Sequence, residues 1–100
     1  MNVMDKQILV FEVIEDMETC KQREIDYPLL ENFKSDSIYI IVDPFNKEVW
    51  IWNGKNANIR LKFIAAKIAP SIRDQHGIDY MITAIDEDYE DKAFKNLVET

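Results

Sequence analysis

The stretches "SIYIIV" (Ser37 to Val42) and "EVWIW" (Glu48 to Trp52) carry apolar side chains on both alternating faces, and only "DPFNK" stands between them. A strand that is apolar on both sides meets water on neither, so it belongs in the middle of a sheet covered on two faces. Pro44 pre-sets a turn and Asn46 tolerates positive φ, so the two strands predict a hairpin. In a chain of 100 residues the covers have to be helices, which predicts an α+β architecture with helix on sheet on helix in a single domain, 1–100.

Two more strands are expected, at Gln7 to Ile14 and Tyr80 to Ile85, both rich in β-branched and aromatic residues. The long helix is predicted over Asn58 to Gln75. Asn56 or Asn58 is its N-cap, Gly77 lies past its end, and Arg73 and His76 stand where a helix C-terminus favours cations. A short helix is predicted over Tyr89 to Val98, with Asp88 as N-cap, Glu90 and Asp91 in the first turn, and a sheet-facing stripe of Tyr89, Ala93 and Leu97 beside Phe94 and Val98. "IDYPLLENFKSD" reads as a loop with a short strand or turn under which Leu29, Leu30 and Phe33 tuck.

Composition narrows the function. With 47% apolar residues, two glycines and three prolines, the chain is globular rather than disordered. The lone Cys20 has no intramolecular disulfide partner, so an intracellular, cytoplasmic setting is the default expectation. Met1 to Lys6 is too short for a basic leader, and "QILVFEVIE", interrupted by Glu12, is too short to span a bilayer, so neither secretion nor membrane insertion is expected. A net charge of -7 opposes nucleic-acid binding and docking on an anionic membrane. The charge is unevenly spread: Lys55, Arg60, Lys62, Lys67 and Arg73 follow one another without an intervening acid, whereas "DEDYED" has five acids in six positions. A solvated helix face is the plainest reading of the basic run. The acidic run lacks the central glycine and terminal glutamate of a calcium loop and reads as the charged start of the last helix.

The long helix has two apolar stripes. Leu61, Ile64, Ala65, Ile68 and Ile72 follow the spacing of a core face. Opposite them lie Ile59, Phe63, Ala66 and Pro70, flanked by Lys62 and Arg73 on one edge and Arg60 and Lys67 on the other. Apolar knobs with a cationic rim are the layout of a helix that enters a partner's groove. The competing readings are that a loop of the same chain covers them, or that Phe63 lies exposed without consequence, since single exposed apolar residues are common.

The order "SDSIYIIVD … EVWIWNGKNAN … HGIDYMI … DED … AF", with an Ala-rich helix between the second and third segments, resembles the gelsolin and villin repeat. The resemblance covers about Leu30 to Val98. It implies a mixed five-stranded sheet sandwiched between one long and one short helix. It also implies binding of actin, or an actin homologue, by the outward stripe of the long helix wedged into the cleft between actin subdomains 1 and 3, to regulate assembly. A single repeat fits monomer binding or end capping, whereas severing in the family needs several linked repeats. Calcium is possible but not required. One family site would use the Ser35 carbonyl, Asp36 and a Glu early in the long helix, where this chain has Leu61. A second, completed by actin itself, would use Asp74 with the carbonyls of Gly77 and Asp79.

An enzyme is not expected. The single histidine, His76, stands beside a helix-ending glycine, and neither a zinc spacing nor a phosphate-cradling glycine loop is present. The alternative function is an assembly module that uses the same fold to bind another subunit or its own copy. Four rim cations would repel their copies and suit an acidic groove, so the chain is expected to be monomeric when free.

Overall fold

A computed structural model describes residues 6–99. Most of the N-terminal segment discussed above, Met1 to Asp5, lies outside the described residues. Within them run β1 (Leu9–Ile14), β2 (Thr19–Gln22), a 3-10 turn (Leu29–Asn32), β3 (Ile38–Asp43), β4 (Glu48–Asn53), α1 (Ile59–His76), β5 (Met81–Asp86) and α2 (Lys92–Glu99). The strands form one sheet in the order β2-β1-β3-β4-β5. Its neighbours are antiparallel except β4 and β5, which run parallel because the whole of α1 lies between them.

The doubly apolar hairpin sits at the centre, as its pattern requires, and every residue of β3 is buried. Alternation sorts the side chains. Ile38, Ile40, Val42, Val49 and Ile51 meet Leu61, Ile64, Ala65, Ala69 and Ile72 of α1, while Tyr39, Ile41, Trp50 and Trp52 face α2. The two covers differ in size, and the side chains compensate. Eighteen residues of α1 cover an aliphatic face. The eight of α2 bury only Phe94 and Val98, so large rings and the loop residues Leu29 and Phe33 fill the remainder. Phe33 stacks on Tyr39 with centroids 4.3 Å apart, and Trp50 meets Phe94 edge-on at 5.2 Å.

The fifth strand is Thr19–Gln22; of the short strand or turn expected in "IDYPLLENFKSD" it is the turn that forms, as a 3-10 turn at Leu29–Asn32, with Leu29 and Phe33 buried and Leu30 partly so. Two local expectations need correction. In the β3–β4 turn, Asp43 rather than Asn46 directs the backbone: its Oδ1 accepts from the Phe45 and Asn46 N–H groups at 2.9 and 3.2 Å. The positive φ there, 55°, is at Lys47. The last helix begins three residues later than predicted, because Asp88 takes a left-handed φ of 74° and Asp91 is the cap, its Oδ1 accepting the Phe94 N–H at 2.9 Å. Tyr89 is therefore 82% exposed and Ala93 is exposed too, leaving Phe94 and Val98, with partly buried Leu97, as the packed stripe.

Candidate partner-binding helix

Asn58, not Asn56, caps α1: its Oδ1 accepts the Leu61 N–H at 2.8 Å. The strand before it is held tightly. A Cβ on Gly54 would collide with the Ser35 carbonyl and come within 2.6 Å of the Ser37 oxygen, so only glycine lets β4 pass this close to the segment preceding β3. Glu87 adds a second tie, accepting from the Lys55 N–H at 2.9 Å and the Ser35 hydroxyl at 2.8 Å. The start of the helix is thus fixed by the sheet and by the turn after β5. At the other end the Gly77 N–H donates to the Arg73 carbonyl at 2.8 Å.

With the start fixed, the phase of the helix follows. Leu61, Ile64, Ala65, Ala69 and Ile72 are buried, and Ile68 is partly buried against the same cluster. On the far side Ile59 and Phe63 are each 69% exposed, and Ala66 and Pro70 are exposed as well. Residues 6–99 leave this stripe open, so the covering-loop reading fails for the described residues. Pro70 removes the amide that would bond the Ala66 carbonyl, and the outward position leaves that carbonyl to solvent.

The rim differs from its appearance in the sequence. Arg60 is engaged by two acids of the β1–β2 turn, Glu18 at 2.6 Å and Glu15 at 3.7 Å. Arg73 pairs with Asp74 at 3.1 Å, and Lys55, farther up the chain, with Asp88 at 3.6 Å. Lys62 and Lys67 have no ion-pair partner among the described residues. Two free cations therefore flank the stripe on opposite edges, instead of the four implied by residue order. The repulsion expected between two copies is correspondingly weaker.

The acidic run also has distributed tasks. Glu87 ties two loops, Glu90 accepts from the Trp52 indole N–H at 2.8 Å, and Asp91 caps α2. The Lys55 amide, with the nearby Lys55 charge and the Ser35 hydroxyl, outweighs partial burial and holds Glu87 below the usual carboxylate range.

Several of the oxygen atoms named for calcium already have partners. The Ser35 carbonyl accepts the Asn56 N–H at 2.8 Å, exposed Asp36 takes a long 3.5 Å contact from the Ser37 hydroxyl, and Leu61 is buried in the core. The Asp74 carboxylate accepts from Arg73, and the Gly77 carbonyl accepts from the Tyr80 N–H at 3.1 Å. Calcium takes roughly 6–8 oxygens, and at either place this chain by itself supplies a single carboxylate. Among the described residues no three His, Cys, Asp or Glu side chains gather as a metal site requires. Likewise no helix among them is long and apolar enough to cross a membrane.

No protein-family model and no curated protein matches the sequence. Solved structures do. The chain superposes with a TM-score of 0.81 on a chain of the Thorarchaeota ProGel/rabbit actin complex, at 20% identity, covering 92% of this chain and 99% of that one. A chain of the Thorarchaeota 2DGel3/rabbit actin complex gives a TM-score of 0.68 at 24% identity, with 96% of this chain covering 49% of that one, so this protein spans about half its length. The five-stranded mixed sheet between a long and a short helix is thus the gelsolin-like fold.

Proposed function

We propose that the protein binds actin or an actin homologue, docking the outward stripe of α1 into an apolar cleft of its partner and so regulating assembly by holding monomers or capping an end. One observation carries the reading: Ile59 and Phe63 stand open on adjacent turns of the helix whose other side packs on the sheet. Burying both would contribute roughly 3–6 kcal/mol before the costs of association. Both solved complexes with this fold contain rabbit actin, which supports the choice of partner. The role is binding without catalysis, it operates in the cytoplasm where actin assembles, and it needs no calcium, in keeping with Leu61 at the helix position where a glutamate would be required.

A polymerisation assay with labelled actin tests this, run once with calcium and once with chelator. The chain should slow or limit assembly equally in both, and cosedimentation should leave more actin in the supernatant. No effect on actin or on an archaeal homologue in either condition would overturn the reading. A second reading, self-association through the same stripe, gains ground from the pairing of Arg60 and Arg73 with their own acids. Analytical ultracentrifugation of the free protein separates the two, and the actin reading expects a monomer.

A further inference from the structure

We propose that the turn between β1 and β2 forms part of the docking surface and that Met17 at its tip contacts actin alongside Ile59 and Phe63; this rests on the function proposed above. The turn and the helix start are joined by three polar contacts. The Asn58 side-chain amide donates to Glu15 at 3.0 Å, and Arg60 reaches Glu15 at 3.7 Å and Glu18 at 2.6 Å. Between those two acids Met17 projects into solvent, 70% exposed, as open as Ile59 and Phe63.

Helix geometry puts the turn on the correct flank. At about 100° per residue, Phe63 lies about 40° and Arg60 about 100° round from Ile59 in the same sense, so the acids that hold Arg60 stand on the Phe63 side of the stripe. The sheet register brings both features to one end of the molecule: β1 leads out toward the start of β3, and β3 pairs there with the end of β4 that leads into α1. A methionine suits such a position, because its unbranched thioether adapts to the surface it meets.

The backbone of the turn indicates what it is built to do. Glu18 has a left-handed φ of 49°, which glycine would adopt without strain. A glutamate there keeps the bridge to Arg60, and the Glu18 N–H closes the turn on the Glu15 carbonyl at 3.1 Å. Arg60 is then a positioning residue. Its charge is balanced by Glu15 and Glu18, so it sets the place of Met17 instead of steering the partner.

The test compares Met17→Ala, Met17→Asp, Phe63→Asp and a control, Phe45→Asp, by actin affinity and thermal melting. Phe45 is similarly open at 61% but lies in the β3–β4 turn, at the opposite end of the sheet. Met17→Ala should weaken binding about tenfold and Met17→Asp further, with melting unchanged and Phe45→Asp binding like wild type. If Met17→Asp binds like wild type while Phe63→Asp does not, the turn lies outside the surface and the docking function stands. If neither variant changes the affinity, both proposals fall. Arg60→Gln should speed dissociation while leaving the salt dependence of the association rate as in wild type. A shallower salt dependence would make Arg60 a steering charge and overturn its positioning role.

Discussion

Replacing Phe63 by aspartate separates the two faces of α1. Phe63 is 69% exposed, so the folded chain loses little contact when the ring is removed. Aspartate and phenylalanine have similar helix propensities, and an acid at 63 sits one turn before Lys67, a pairing worth about 0.2–0.5 kcal/mol. Stability should therefore stay within about 0.5 kcal/mol of wild type. The complex is another matter. Losing a buried phenyl ring costs about 1.5–3 kcal/mol, and setting a carboxylate against an apolar wall adds about 1–3 kcal/mol, so actin affinity should fall about 100-fold or more. Leu61→Ala, two residues away on the buried face, should do the reverse. It opens a cavity costing about 2–5 kcal/mol, which lowers the melting temperature by roughly 10 °C or more in a domain of this size. Fluorescence anisotropy with labelled actin and a thermal melt of each variant supply the readings. A melt of Phe63→Asp as low as that of Leu61→Ala would refute the helix phase. A folded Phe63→Asp with unchanged affinity would refute the docking face.

Reversing the free cations, with Lys62→Glu and Lys67→Glu together, should slow association with actin at low salt and leave melting unchanged; stopped-flow rates that do not respond would refute their steering role. Glu12 reports on acid stability. Burial pushes its carboxyl up, but hydrogen bonds from Arg23, Lys34 and the Ser37 hydroxyl prevail and hold it below its ordinary 4.5. Its contribution is therefore complete above that value and is lost as pH falls through the lower folded value, so Glu12→Gln should cost about 1–2 kcal/mol at neutral pH, with the gap from wild type closing in urea titrations below pH 4.5. Asp91→Ala should lose about 1 kcal/mol with the α2 cap, while Asp88→Ala should lose no cap, and urea melts distinguish the two.

What could be read in the residues themselves was whatever repeats over a few positions. The doubly apolar β3 and β4 implied a sheet covered on both faces, and the spacing from Leu61 to Ile72 separated a buried stripe from an open one. Strand alternation and the helical period are local geometry, so they survive without knowledge of the remaining chain. Strand β2 was not legible, because its turn carries a glutamate at positive φ in place of the glycine or asparagine that signals a hairpin. The late start of α2 was hidden as well, since any of several acids in "DEDYED" can cap and only packing of Phe94 chooses Asp91.

Charge was where residue order misled and the tertiary structure decided. Five cations in a run without acids look like a continuous basic face, yet Arg60 meets a partner 42 residues away and Lys55 meets Asp88 from beyond β5. An ion pair depends on which surfaces the fold brings within a few ångströms, and neither periodicity nor composition encodes that distance. The sequence by itself determined that α1 has a second apolar side; only the folded chain left Lys62 and Lys67 free beside it and set Met17 at its flank.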